Sequence, residues 1–99
     1  METLKKFELM EKIVRELEDL QNSQQAVIQK MGKIEVNNIE LGDKKLEQDL
    51  PDMHQRVADN LASIKSILDY FATKTETFGS KNNVDELKER QAINEAVGK

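Results

Sequence analysis

Two apolar series, each following a seven-residue repeat and each broken once by a polar residue, constrain this chain more than any other feature. The first runs through Met10, Ile13, Leu17, Leu20, Gln24, Val27, Met31 and Ile34. The second runs through Leu46, Leu50, Met53, Val57, Asn60, Ile64, Ile67 and Phe71, with Lys74 and Phe78 beyond. Alternating steps of three and four put each series on one stripe of a long helix. Between them lies "IELGDKKLEQDLP", residues 39–51, with the only proline and one of four glycines. Residues of the two series pair off at equal distances from Gly42: Met31 with Met53, Val27 with Val57, Gln24 with Asn60, Leu20 with Ile64, Leu17 with Ile67 and Ile13 with Phe71. This symmetry predicts an antiparallel hairpin bent at Gly42, its a positions opposing d positions across the seam. Gln24 and Asn60 then face each other as a register-setting polar pair, which fixes alignment at some expense of stability.

Turn chemistry supports the bend. Asn37 and Asn38 leave the helical region readily, Gly42 tolerates a positive φ, and Asp43 is able to cap a following helix. The first helix is expected to end near Asn37. Pro51 suits the first turn of a helix and disfavours α geometry at Leu50, so the second helix is expected to start near Leu50 with help from Asp49. The alternative is a short helical turn from Asp43 to Asp49 kinked into it. After Phe78, "GSKNN" breaks the pattern and "NVDE" resembles a capping box, with Asn83 as N-cap and Glu86 at N3. A third helix over about Val84 to Ala96 follows. Its apolar residues Val84, Leu87, Ile93, Ala96 and Val97 form no clean stripe, so it is expected to dock weakly, fray, or order on binding. The expected fold class is all-α: a coiled-coil-like antiparallel helical hairpin over 1–79 with its bend near 38–50, and a short C-terminal helix or tail over 80–99.

Composition excludes several functions. Ninety-nine residues make one small domain with a thin core, and 34% charged against 37% hydrophobic residues is a balance of long exposed helices. With no cysteine there is no disulfide framework, thiolate metal site or Cys nucleophile. The net charge is -4 with the basic residues scattered among acids, so no basic stripe invites a nucleic acid. The first twenty residues carry charge throughout and lack the apolar segment of a signal peptide, and no apolar run approaches the roughly 20 residues of a membrane span. A cytoplasmic location is expected, compatible also with export without a cleavable signal peptide.

Nothing in the pattern assembles chemistry. His54, the single histidine, falls on a helix flank near Ile28, without the partners of a metal or acid/base site. The clusters "ELED" and "ELKER" read as solvated helix faces, and "DKKLEQDLPD" lacks the spacing and glycine of a calcium-binding loop. There is no Gly-rich phosphate loop and no nucleophile motif, so neither enzyme activity nor a cofactor or metal is expected.

The flanks of the expected seam carry the functional argument. Positions e on the two helices are Phe7, Val14, Gln21 and Ile28, beside His54, Leu61, Leu68 and Thr75. The opposite g flank is mostly polar. An a and d seam leaves Phe7, Val14, Ile28, Leu61 and Leu68 in water, each worth roughly 1.5 to 3 kcal/mol when buried, and marks them as partner-binding residues. Either the third helix folds back over them or another hairpin completes a four-helix bundle by association.

In length, lack of cysteine, hairpin pattern and a bend near residue 42, the chain resembles the small W-x-G hairpin proteins of the ESAT type and the helical partner proteins of type VII secretion toxins. Where that family carries W-x-G, this chain has Leu41, Gly42 and Asp43, and "YFATKTE" after the second helix has no acid four residues beyond Tyr70 or Phe71. The resemblance therefore carries over only Gly42, at the bend. Short coiled-coil adaptor subunits and phage scaffolding or regulatory proteins share the same pattern. The expected function is a non-enzymatic protein–protein interaction module, a subunit or chaperone-like adaptor that binds another helical protein. The alternatives are a self-assembling structural homodimer and a signal-less partner of a type VII secretion effector.

Overall fold

The computed structural model describes residues 1–97. It consists of α1 (Thr3–Leu41), α2 (Lys44–Lys81) and α3 (Val84–Val97), with α1 and α2 packed as an antiparallel hairpin and no strand among the described residues. The fold is all-α, a helical hairpin with a short third helix.

The bend is tighter than the sequence suggests. Gly42 takes a φ of 75°, where a side chain would be strained, and its N–H donates to the Asn38 carbonyl at 2.7 Å. Asn38 stays within α1, so the helix runs four residues past Asn37. Its buried side-chain amide spans the turn, accepting from the Asp43 N–H at 3.0 Å and donating to the Asp43 carbonyl at 3.1 Å. The Asp43 carboxylate in turn accepts from the Leu46 N–H at 2.9 Å, an N-cap that satisfies one of the orphan donors of the first turn. This cap starts α2 at Lys44 rather than near Leu50, and Pro51 lies inside the helix. The proline is tolerated because it removes only the bond to the Glu47 carbonyl, on an exposed part of the second turn, while ion pairs from Lys44 to Glu47 and Lys45 to Asp49 support that turn weakly.

The contacts divide into two compact units, residues 17–67 and residues 1–16 with the chain from Leu68 onward. In the 17–67 unit, the less exposed positions with side chains larger than alanine are Leu17, Gln21, Gln24, Ile28, Met31, Glu35 and Asn38 on α1, and Leu50, His54, Val57, Leu61 and Ile64 on α2. These are a and e positions, not a and d. They mirror one another about the Gly42–Asp43 bond, pairing Ile28 with Val57, Gln24 with Leu61 and Gln21 with Ile64. Two features of the bend region fix this rotation. Asn38, an a position, must face inward to hold Asp43, and Glu35, an e position, meets His54 Nδ1 at 2.7 Å. An a and d seam would also have set the charged Lys74 against Met10, a desolvation cost that the observed rotation avoids.

The other unit also turns a and e positions inward, and adds the b position Leu4. Leu4, Met10 and Thr75 are buried, and Phe7, Val14, Leu68, Phe71 and Phe78 are half-buried. Phe7 stacks on Phe78 with centroids 6.3 Å apart, and the ammonium groups of Lys6 and Lys88 lie 5.2 and 5.1 Å from the Phe78 and Phe7 centroids. Thr75 returns its hydroxyl to the Phe71 carbonyl at 2.8 Å, so its burial leaves no donor unpaired. Asn83 has a φ of 49°, the left-handed conformation that terminates α2, rather than the extended conformation of the expected N-cap. The α3 helix docks through its first turn and the Lys88 side chain: Val84 is 2% exposed and Leu87 half-buried, while residues 88–96 are exposed.

Candidate interaction surface

Turning the a and e positions inward leaves the d positions facing water. They are Leu20, Val27, Ile34 and Leu41 on α1, and Leu46, Met53, Asn60 and Ile67 on α2, all exposed and all but Asn60 apolar. Leu20 is 45%, Ile34 46% and Ile67 52% exposed. At 100° per residue the d direction lies about 80° from the midpoint of a and e, and because the helices run in opposite directions it points to the same side on both. The eight residues therefore share one face of the 17–67 unit. They form four layers: Leu41 with Leu46, Ile34 with Met53, Val27 with Asn60, and Leu20 with Ile67. The outer edges of the face are the g positions, Ser23, Lys30 and Asn37 on α1 and Asp49, Arg56 and Ser63 on α2, all exposed.

The sequence-predicted residues fall elsewhere on the hairpin. Ile28 and Leu61 in the 17–67 unit, and Phe7, Val14 and Leu68 in the other, are half-buried along the line between the helices. Their flank is thus not left in water by the hairpin, because it forms part of the seam. Gln24 is half-buried and Asn60 exposed, so the two do not meet as the expected buried pair. Gln24 mirrors Leu61, and Asn60 stands in the outward face. Gly42 lies at the bend, as its spacing requires.

Asn38 is the residue that sequence reasoning placed but misread. An Asn four residues before a glycine signals a loop by propensity, and only the geometry reveals a clamp that keeps it helical. The signal for the outward face was available in Asn60 and Lys74, two polar residues on a row that a buried seam would not favour.

At the closed end of the hairpin a shallow groove of about 400 Å³ is lined by Ile39, Leu46, Leu50 and Pro51 beside Glu35, Lys44 and Glu47, mostly a, e and b positions rather than the d-position face. It offers apolar contact with a margin of mixed charge. Among the described residues no three His, Cys, Asp or Glu side chains are grouped to hold a metal ion, and no helix is long and apolar enough to cross a membrane. The Glu35–His54 pair is about one-third exposed on each side and makes an intrahairpin hydrogen bond. What this surface can do chemically is bury apolar side chains.

No protein-family model matches the chain, and neither a curated protein nor a solved structure matches it.

Proposed function

We propose that the protein is a non-enzymatic interaction module whose hairpin presents the d-position face to another helical protein, completing a helical bundle. One observation carries this reading: seven large apolar side chains stand exposed in register on one face of two packed helices. Scattered surface leucines are ordinary, but a contiguous row spanning four layers is not. Roughly half of each side chain remains to be buried, worth on the order of 1 kcal/mol apiece, enough in sum to drive association. Rows of apolar residues at heptad spacing fit the ridges of another helix pair rather than a small ligand. A cytoplasmic adaptor or subunit fits this role. The hairpin bent at Gly42 also suits a partner of a type VII secretion effector, a setting supported by architecture alone.

The test is the accessibility of the face where the protein works. The chain has no cysteine, so a single Ile34→Cys chain reports on the face and a Lys33→Cys chain on the outer side of the same helix. In cells that make the protein, the Ile34→Cys thiol should react with a maleimide far more slowly than the Lys33→Cys thiol. Equal reactivity would mean that nothing covers the face.

A further inference from the structure

We infer that the face is covered by a second copy of this chain, related by a twofold axis that crosses it at the Val27 and Asn60 layer. This names the partner within the interaction reading and rests on it. The axis lays α1 on α1 and α2 on α2 of the copy, each pair antiparallel, so that Asn60 meets Asn60 of the copy, Val27 meets Val27, Leu20 meets Ile34, and Met53 meets Ile67.

Three features of the face select this arrangement. The first is Asn60, the single polar side chain among the eight. Covered by an apolar surface, its amide would lose its water without replacement, at a desolvation penalty comparable to a lost hydrogen bond. An amide both donates and accepts, so Asn60 on the axis satisfies itself with its own copy. A single polar residue at such a position also sets alignment and orientation, because any shift by one layer leaves two amides unpaired.

The second is the charge on the edges. Lys30 and Arg56 flank the Val27 and Asn60 layer on opposite sides, both exposed. A twofold axis running along the hairpin would bring Lys30 of one copy against Arg56 of the other in the same layer, like charges facing. The crosswise axis instead sets Lys30 beside Ser23 of the copy and Arg56 beside Ser63 of the copy. Charge thus chooses between the two ways of stacking hairpins face to face.

The third is area. From Leu20 to Leu41 the face is about 31 Å long at 1.5 Å per residue, and two helices packed 8–10 Å apart present a strip about 20 Å wide with their side chains. That gives roughly 600 Å² per copy before curvature is counted, close to the ~800 Å² per partner of a stable interface. A twofold dimer of hairpins also closes on itself.

Sedimentation of the full chain between about 1 and 100 µM, together with oxidation of an Asn60→Cys chain, tests the inference. The expected result is a dimer mass for the unaltered chain, and an interchain disulfide in the Asn60→Cys chain, because residues on a twofold axis bring their Cβ atoms within bonding range. A Lys33→Cys chain, with its thiol on the outer side, should stay unlinked under the same oxidation. A monomer at every concentration overturns the inference, and so does a dimer in which Asn60→Cys fails to link. A monomer in solution combined with a protected Ile34→Cys thiol in cells would leave the interaction reading standing with a different partner. Equal thiol reactivity in cells would remove both.

Discussion

The Asn38 side chain holds both backbone groups of Asp43, its oxygen 3.0 Å from the Asp43 N–H and its amide nitrogen 3.1 Å from the Asp43 carbonyl. One buried amide thus closes the hairpin and fixes which side of α1 turns toward α2. Asn38→Ala removes both bonds and strands the Asp43 N–H in a partly buried turn, while the Asp43 carbonyl keeps the Glu47 N–H at 3.1 Å. It should lower unfolding stability by about 1–3 kcal/mol, read as the shift in urea midpoint with little change in slope. Asn38→Asp keeps the acceptor but sets a carboxylate oxygen against the Asp43 carbonyl, and should be no better than Asn38→Ala near neutral pH.

Pro51 breaks the hydrogen-bond ladder of α2 without ending the helix. Its exposed ring makes no packing contribution that an alanine would forfeit on a large scale. Pro51→Ala supplies the missing N–H to the Glu47 carbonyl and relieves the ring's crowding of the preceding turn. The expected outcome is a gain of about 1–3 kcal/mol in chemical unfolding. An unchanged or lowered midpoint would show that the proline sets a bend the hairpin needs.

Two helical glycines should respond in opposite directions to alanine. A Cβ on Gly32 meets nothing within 4 Å, so Gly32→Ala gains helix propensity and should stabilise by about 0.5–1 kcal/mol. A Cβ on Gly79 would come within 2.8 Å of Phe7 Cε1. The Phe7 ring stacks on Phe78 and lies under the Lys88 ammonium, so moving it would disturb both contacts. Gly79→Ala should therefore destabilise, with a net loss of about 1–2 kcal/mol after the propensity gain is counted, and thermal melting of the two variants side by side reads the contrast.

The docking of α3 rests on Val84, 2% exposed, and on Lys88, which reaches the Phe7 ring and lies 3.7 Å from Glu11. Val84→Ala should loosen the first turn of α3 and raise amide exchange over residues 84–97, with a loss of about 1 kcal/mol or more in stability. Exchange in α3 that matches the unaltered protein would mean that the helix is held by something other than its first turn.

The sequence carried the hairpin and its bend because those depend on period and on mirror symmetry about Gly42, which survive a small rotation of either helix. It did not carry the rotation itself. Rows a, d and e are all largely apolar here, so hydrophobic periodicity alone cannot say which two of the three face inward. The choice was made by particular polar groups: the Asn38 amide, the Glu35–His54 pair, and the exclusion of Lys74 and Asn60 from the seam. The start of α2 was misplaced for a similar reason, since the preference of Pro51 for a first turn was outweighed by the Asp43 cap seven residues after Val36 and eight before Pro51. The exposed C-terminal half of α3 was legible from its lack of a stripe, whereas its buried first residue, Val84, was not.

Two double variants test most directly which apolar row is the seam and which is the face. Leu61→Asp with Leu68→Asp puts carboxylates on the observed seam, while Ile34→Asp with Ile67→Asp puts them on the observed face. Far-ultraviolet circular dichroism should show that the first pair loses most of its helix, whereas the second keeps a helical, cooperatively melting hairpin and loses association in sedimentation. Retention of helix by Leu61→Asp with Leu68→Asp, with equal or greater loss by Ile34→Asp with Ile67→Asp, would contradict the account and return the seam to the a and d rows.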